Sequence, residues 1–185
     1  MHKSVMTFID SHATKDNFYG KSVIEVGAYD VNGSPRTLIT PLQPSVYIST
    51  DMRAGKGVDV VCDATYLTEY FGTNLFDVVI STEMLEHVED WRLAVNNMKD
   101  ILKPGGLLLL TTRSRGFPLH DYPGDFWRFQ TEDFFQIFKD MGMPMIWEDL
   151  EAPGVFIEAR HSNPKQTQVD LTAIDVWSMK NSEKT

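Results

Sequence analysis

The segment Ser22-Val-Ile-Glu-Val-Gly-Ala-Tyr-Asp-Val-Asn-Gly-Ser34 sets the architecture of this chain. Val23, Ile24 and Val26 form a short apolar run that stops at Gly27, and Gly33 stands just before a helix-start signal. Ser34 suits an N-cap and Pro35 the first helical position, where no N–H is needed. Strand, bare turn and helix N-terminus in succession let a ligand approach backbone N–H groups with no side chain between. One glycine turn fits an ordinary strand-to-helix connection equally well; the segments that follow favour a nucleoside site.

Outward from that turn, strands and helices alternate. Residues 4–12 put Val5, Phe8, Ile9 and His12 on one side of a helix. Pro44-Ser-Val-Tyr-Ile-Ser-Thr-Asp51 and Gly57-Val-Asp-Val-Val-Cys-Asp63 read as a second and a third strand, each ending on a carboxylate. A short helix from Thr65 to Tyr70 is stopped by Gly72. Phe76-Asp-Val-Val-Ile-Ser81 is an apolar run of the kind buried on both faces of a sheet. Met84, Leu85, Val88, Trp91, Val95, Met98 and Leu102 then recur at helical spacing up to Lys103-Pro-Gly-Gly106, with Asp90 as the N-cap of a later start.

Leu107 to Thr112 is another apolar strand. Thr131 is placed to cap a helix with Glu132 and Asp133 in its first turn and Gly142 at its end. Strands near Met145–Asp149 and Val155–Ala159 flank Leu150-Glu-Ala-Pro-Gly154 as a hairpin. The expected architecture is α/β, a doubly wound and mainly parallel sheet with an antiparallel C-terminal hairpin, in a single domain over residues 1–161. Residues 162–185 form a tail, polar apart from Leu171, Ile174, Val176 and Trp177, expected as a docked helix or a partly disordered end.

With 185 residues and 42% hydrophobic composition the chain can bury the core of one such domain. Its 17 Lys and Arg against 26 Asp and Glu give a net charge of −9, which argues against nucleic acid as a partner. Cys62 is the single cysteine, so no internal disulfide or cysteine cluster for zinc can form, and a reducing cytoplasmic setting is expected. The opening Met-His-Lys-Ser-Val-Met-Thr-Phe-Ile-Asp has too short an apolar core for a signal peptide, and no run approaches membrane-spanning length.

In a parallel sheet ligands sit beyond the carboxyl ends of the strands, where strand order reverses. That rule gathers Gly27 to Gly33, Asp51, Asp63 and Ser81 to Glu83 at one rim. Asp51, on the tip of the second strand, is placed to accept hydrogen bonds from ribose hydroxyls. Asp63 is placed either to accept from the exocyclic amine of a purine or merely to cap the helix beside it.

These features resemble the S-adenosylmethionine-dependent methyltransferases of the seven-stranded Rossmann-like fold. The resemblance is carried by Val23-Ile-Glu-Val-Gly27, Ser49-Thr-Asp51, Val60-Val-Cys-Asp-Ala64, Phe76-Asp-Val-Val-Ile-Ser-Thr-Glu-Met-Leu-Glu-His87 and Leu102-Lys-Pro-Gly-Gly-Leu107. It implies S-adenosyl-L-methionine as cofactor and S-adenosyl-L-homocysteine as product. It implies that Glu25 and Gly27 open the cofactor loop, which continues through Ala28, Tyr29 and Gly33. Asp51 would take the ribose hydroxyls, Met52 would pack on the adenine, and Asp63 with the backbone of Ala64 would read its amine. Ser81, Thr82 and Glu83 would lie beside the amino-acid end and the reacting methyl. Three glycines are frequent in this loop of the family, whereas Tyr29 and Asp30 stand in its middle here, so the loop takes a path of its own.

The second cluster is Phe117-Pro-Leu-His-Asp-Tyr-Pro-Gly-Asp-Phe-Trp-Arg-Phe129, directly after the strand ending near Thr112. Methyl transfer from a sulfonium is a displacement: the protein aligns nucleophile and methyl carbon and removes a proton from a hydroxyl or ammonium. His120 is the base candidate, because its unperturbed pKa lies near neutrality, with Asp121 or Asp125 to orient it. Asp125 and Arg128 are placed beside the acceptor, Arg128 to hold an anionic group of it, and Tyr122 and Trp127 to close over it; packing of the sheet, with Arg128 paired to Asp125, is the alternative, and for Phe126, Trp127 and Phe129 packing is the favoured reading. His87 either serves the acceptor or holds the post-strand loop. Adjacent His120 and Asp121 do not define a metal site, and none is expected.

The function read from the chain is methyl transfer to oxygen or nitrogen of a small-molecule acceptor. A cofactor-binding subunit without catalysis is the alternative from another class. A nicotinamide-dependent dehydrogenase is disfavoured because the loop lacks Gly-x-Gly-x-x-Gly. The apolar tail residues around Trp177 offer a docking face for a second copy of the chain.

Overall fold

A computed structural model describes residues 2–120, 124–161 and 169–185. Val5, Phe8 and Ile9 lie on the buried side of α1 (Lys3–His12), as their spacing predicts. After α2 (Lys15–Phe18) the chain enters β1 (Ser22–Val26). Then come α3 (Arg36–Ile39), β2 (Val46–Asp51), β3 (Val60–Val61), α4 (Leu67–Phe71) and β4 (Phe76–Thr82). The second half holds α5 (Trp91–Ile101), β5 (Leu102–Arg113), β6 (Trp127–Arg128), α6 (Thr131–Ile137), β7 (Gly142–Asp149), β8 (Gly154–Arg160), β9 (Trp177–Ser178) and β10 (Glu183–Lys184).

Among the described residues, seven strands form one sheet in the order β3-β2-β1-β4-β5-β8-β7. β1 to β5 pair in parallel, and β8 runs antiparallel to both β5 and β7. Order reverses between β1 and β4, which opens a crevice beyond their carboxyl ends.

Apolar runs continue along the strands because both faces of the sheet are covered. On β5, Leu107 and Leu109 join Val5, Ile9, Phe18 and Ile39 on one face. Leu108 and Leu110 join Leu67, Trp91, Met98 and Phe134 on the other. The α/β reading with its antiparallel hairpin therefore holds. No helix among the described residues is long and apolar enough to cross a membrane.

Several boundaries differ from expectation, each through a local hydrogen bond or a distant pairing. The helix after β4 takes the later of its two expected starts, at Trp91, because the Asp90 side chain accepts the N–H of Leu93 at 3.0 Å. Residues 85–87 form a separate 3-10 turn. α6 is capped by Gln130 instead of Thr131, through a capping box in which Asp133 accepts the Gln130 N–H at 2.8 Å. It stops at Ile137, since Gly142 already belongs to β7. Pairing of β5 with β4 begins at Leu102 and jumps over Lys103-Pro-Gly-Gly106 to Leu107.

In the tail, residues 169–185 form neither helix nor a disordered end. A 3-10 turn at Leu171–Ala173 leads into β9, which pairs antiparallel with β6 on one side and β10 on the other. Leu171 and Val176 are buried in the main core, and Arg92 of α5 donates to the carbonyls of Leu171 and Ile174 at 3.0 and 2.7 Å.

Candidate functional site

The crevice begins where β1 ends. Gly27 has φ +80°, and a Cβ on it would lie 2.5 Å from the Cβ of Met84, so only glycine lets the β1 and β4 ends approach this closely. The N–H groups of Gly27 and Ala28 both donate to the Thr50 carbonyl at 2.9 Å. The loop then takes its own path. Asp30 accepts the Gly33 N–H at 2.7 Å, pairs with Lys56 at 2.9 Å, and donates its own N–H to the Lys56 carbonyl. Gly57 packs against this loop, where a Cβ would meet the Ala28 carbonyl at 2.9 Å.

Ser34 does not itself occupy the N-cap of α3, a position taken by Pro35, yet its hydroxyl accepts the Arg36 N–H at 3.1 Å. That hydroxyl also donates to Glu25 at 3.2 Å, as the Tyr47 hydroxyl does at 2.7 Å. Glu25 is 2% exposed, and burial pushes its carboxyl up from 4.5 to about 7. It supports the loop from beneath.

Asp51 accepts the N–H of Tyr29 at 3.2 Å on one oxygen and of Arg53 at 3.0 Å on the other. Asp63 caps the turn after β3, with Oδ1 taking both the N–H and the hydroxyl of Thr65 at 2.8 Å. Asp51, Met52, Asp63 and Ala64 line one lobe of the crevice, about 160 Å³ in volume, with Gly27 and Tyr29. The Arg53 guanidinium stacks on the Tyr29 ring at its mouth, 4.9 Å from the centroid.

A second lobe, about 380 Å³, shares Gly27, Tyr29, Val31, Glu83 and His87 with the first. Glu25, Ala28, Gly33 and Thr82 line it, and its far wall is His2, Arg113, Phe117 and His120. Glu83 has φ +53° and is ion-paired with Arg113, whose guanidinium burial pulls down to about 10. Ser81 is fully buried and lines neither lobe.

His120 and His87 meet edge to face, 4.7 Å between ring centroids. The Nδ1 of His87 bonds the Gly124 carbonyl, so this residue both holds a loop and lines the crevice. His120 has Nδ1 3.0 Å from Asp125 Oδ2 and Nε2 3.9 Å from Glu86 Oε1. Burial lowers its pKa, which keeps the imidazole neutral near pH 7.

Asp125, Trp127 and Arg128 require correction as acceptor-binding residues: none lines either lobe. Arg128 is 1% exposed, ion-paired to Asp125, and donates to the carbonyls of Trp127 at 2.8 Å and Pro118 at 3.0 Å. The Trp127 indole donates to the Val88 carbonyl at 2.9 Å. A buried guanidinium must find acceptors within the protein, and these build the wall of the second lobe. Asp121 and Tyr122 lie outside the described residues.

Sequence reasoning gave no role to Glu86, His2 or Arg113 in this region, and placed Phe117 in the second cluster without a role of its own. Arg113 is the last residue of β5, so the strand-end rule that found Asp51 could have found it too.

A family model described as a methyltransferase domain matches residues 2–140. The chain belongs to this methyltransferase domain family.

Its relatives include a ubiquinone biosynthesis O-methyltransferase of Idiomarina loihiensis, 30% identical over 58% of this chain and 48% of that protein. The methyltransferase domain thus spans about half the length of the curated relatives it matches. Among solved structures, the YcgJ protein of Bacillus subtilis superposes with TM-score 0.64 at 14% identity, over 88% of this chain and 100% of the other. A 1,6-didemethyltoxoflavin-N1-methyltransferase of Burkholderia thailandensis, solved with that compound and S-adenosylhomocysteine, does so with TM-score 0.61 at 14% identity, over 87% and 78%. These two likenesses establish the fold. The resemblance, the Rossmann-like architecture and the S-adenosylmethionine cofactor class read from the sequence are borne out at the level of the family.

Glu25 gives this methyltransferase domain a pH signature. A carboxyl raised to about 7 in the fold contributes stability that is complete below 4.5 and lost as pH rises through about 7. At about 1.4 kcal/mol per unit, the full loss is about 3–4 kcal/mol, most of it between pH 5 and pH 8. Urea unfolding at pH 5 and pH 8 should therefore show Glu25→Gln gaining about 2–3 kcal/mol relative to the native chain at the higher pH. A difference that stays flat between the two pH values would refute the raised pKa.

Proposed function

We propose that the chain binds S-adenosylmethionine across the switch point and transfers its methyl group to an oxygen of a small-molecule acceptor seated in the second lobe. The observation that carries this reading is the continuity of the two lobes. Gly27, Asp51 and Asp63 converge on one, and it opens past Glu83 and His87 into the other. The residues present fit the cofactor. Gly27 lines both lobes, and its lack of a side chain, required by the close approach of Met84, leaves bare backbone facing the methionine part of the cofactor. A carboxylate offers about four acceptor sites. Asp51 accepts backbone N–H groups from Tyr29 and Arg53 and has capacity left for a ribose diol. Met52 is half-exposed on the lobe and offers an apolar surface for adenine, with Asp63 and Ala64 at its edge.

When bound, the cofactor supplies an activated methyl carbon on a sulfonium. The chain's own part is placement and activation of the acceptor. Glu25 keeps the Gly27–Gly33 loop in position, and Thr82 and Glu83 line the passage between lobes. Phe117 and His2, 5.4 Å apart edge to face, form part of the far wall. Activation falls to the cluster of Glu86, His87 and His120, where the base candidate of the sequence reading resides. An oxygen acceptor is favoured by the O-methyltransferase names of the relatives. The net charge of −9 favours a small molecule over nucleic acid.

The test is a calorimetric titration with S-adenosylhomocysteine, followed by turnover with a panel of hydroxylated aromatic acceptors. Saturable binding and acceptor-dependent accumulation of S-adenosylhomocysteine are expected. Tight binding with no turnover on any acceptor would make the chain a non-catalytic subunit instead.

A further inference from the structure

Glu86, His87 and His120 each bring one ligand atom to a common point, all within 4.8 Å of one another. Sequence separates them: Glu86 and His87 share the 3-10 turn after β4, whereas His120 belongs to the proline-rich loop after β5. Only the fold assembles the set. Two of the three side chains are tethered on the far side by hydrogen bonds. Glu86 Oε2 accepts the Thr112 hydroxyl at 2.8 Å, and His87 Nδ1 bonds the Gly124 carbonyl. His120 Nδ1 faces Asp125 Oδ2 at 3.0 Å, and that carboxylate is fixed in turn by Arg128. Glu86 is fully buried, and its other oxygen, Oε1, has no hydrogen-bond partner.

A buried carboxylate oxygen left without a partner is costly, and something must compensate it. His87 is left with Nε2 to present, because its Nδ1 bonds the Gly124 carbonyl, and His120 turns its Nε2 toward Glu86 Oε1. Outer acceptors of this kind set the tautomer of metal-binding histidines. We infer that Glu86, His87 and His120 form a binding site for a first-row divalent cation at the edge of the second lobe. Ligands about 2.1 Å from one ion sit roughly 3–4 Å apart, so the 3.9 Å between Glu86 Oε1 and His120 Nε2 already matches. Two imidazoles and a carboxylate suit Zn²⁺, Mn²⁺ or Co²⁺ and leave further positions open.

His87 and His120 line the lobe in which the acceptor is proposed to sit, so those open positions face it. The inference rests on that reading and narrows it. On a five- or six-coordinate ion such as Mn²⁺ or Co²⁺, three protein ligands leave room for an acceptor with two neighbouring oxygens, such as a vicinal diol or an aromatic diol. The cation lowers the pKa of the hydroxyl it touches. The hydroxyl proton passes to solvent, the oxygen forms its bond to the methyl carbon, and the carbon–sulfur bond breaks with its electron pair going to sulfur. The sequence reading expected no metal because it weighed His120 only against its neighbour Asp121.

The experiment uses the full chain after treatment with a chelator. Titration with CoCl₂ should give one ion per chain and visible ligand-field absorption. His120→Ala and His87→Ala should each weaken Co²⁺ binding at least tenfold, with urea midpoints measured to show that both variants fold. No Co²⁺ binding by the native chain, or binding that both variants retain unchanged, would overturn the site. S-adenosylhomocysteine titrated into the same samples reads the cofactor lobe separately. Loss of that binding with Co²⁺ binding kept would defeat the methyl-transfer reading while leaving the cation site standing.

Discussion

Arg128→Ala is expected to cost the fold about 3–5 kcal/mol, the range for removing one partner of a buried ion pair. The size follows from what is left behind. Asp125 has a side chain with no exposure, and without Arg128 its charge would face only the His120 backbone N–H at 3.0 Å and the His120 ring. The carbonyls of Trp127 and Pro118 lose their donor at the same time. Replacing both members, Asp125→Leu with Arg128→Met, should recover much of the loss, because no buried charge then remains. Urea unfolding of the native chain, both single variants and the double variant forms the cycle that measures it. If Arg128→Ala costs less than about 1 kcal/mol, the guanidinium is not the anchor of this wall.

Asp51→Ala should weaken S-adenosylhomocysteine binding by about a hundredfold or more. Hydrogen bonds to a charged group are worth about 1.5–3 kcal/mol each, and a ribose diol offers two. The same change frees the N–H groups of Tyr29 and Arg53, so the loop that shapes the first lobe loses its tether as well. Asp51→Asn separates these effects: it keeps a carbonyl acceptor but removes the charge, and an intermediate affinity is expected. Calorimetry on folded variants decides the matter, and unchanged affinity in Asp51→Ala would remove Asp51 from the cofactor site.

The rim was readable from sequence because strand ends are local features. Gly27, Asp51 and Asp63 each follow a few apolar residues with period two or an unbroken run, and a parallel sheet brings such ends to one side. Asp63 as a cap was equally local, and its bonds to Thr65 are the outcome. Burial of charge was not readable. Arg128 in a loop rich in prolines and aromatics suits a ligand or a pairing with Asp125 equally well, and the tertiary fold decides for the pairing by enclosing the guanidinium with Asp125 and carbonyl groups.

Glu86 stands in a segment that carries the family resemblance, yet its own meaning depends on His120 arriving from another loop. The tail was misread for the same reason. Trp177 and Ser178 have a strand partner in Trp127 and Arg128, a pairing that no local pattern announces.

That pairing reaches further than the tail itself. Met179 donates its N–H to the Phe126 carbonyl at 2.8 Å, and β9 lies alongside the two residues that follow. Drift among the final dozen or so amino acids would therefore be felt at the wall carrying His120, with every crevice side chain unaltered. Acceptor preference could then diverge between close cousins whose cofactor motifs stay identical, and a comparison restricted to those motifs would overlook the cause.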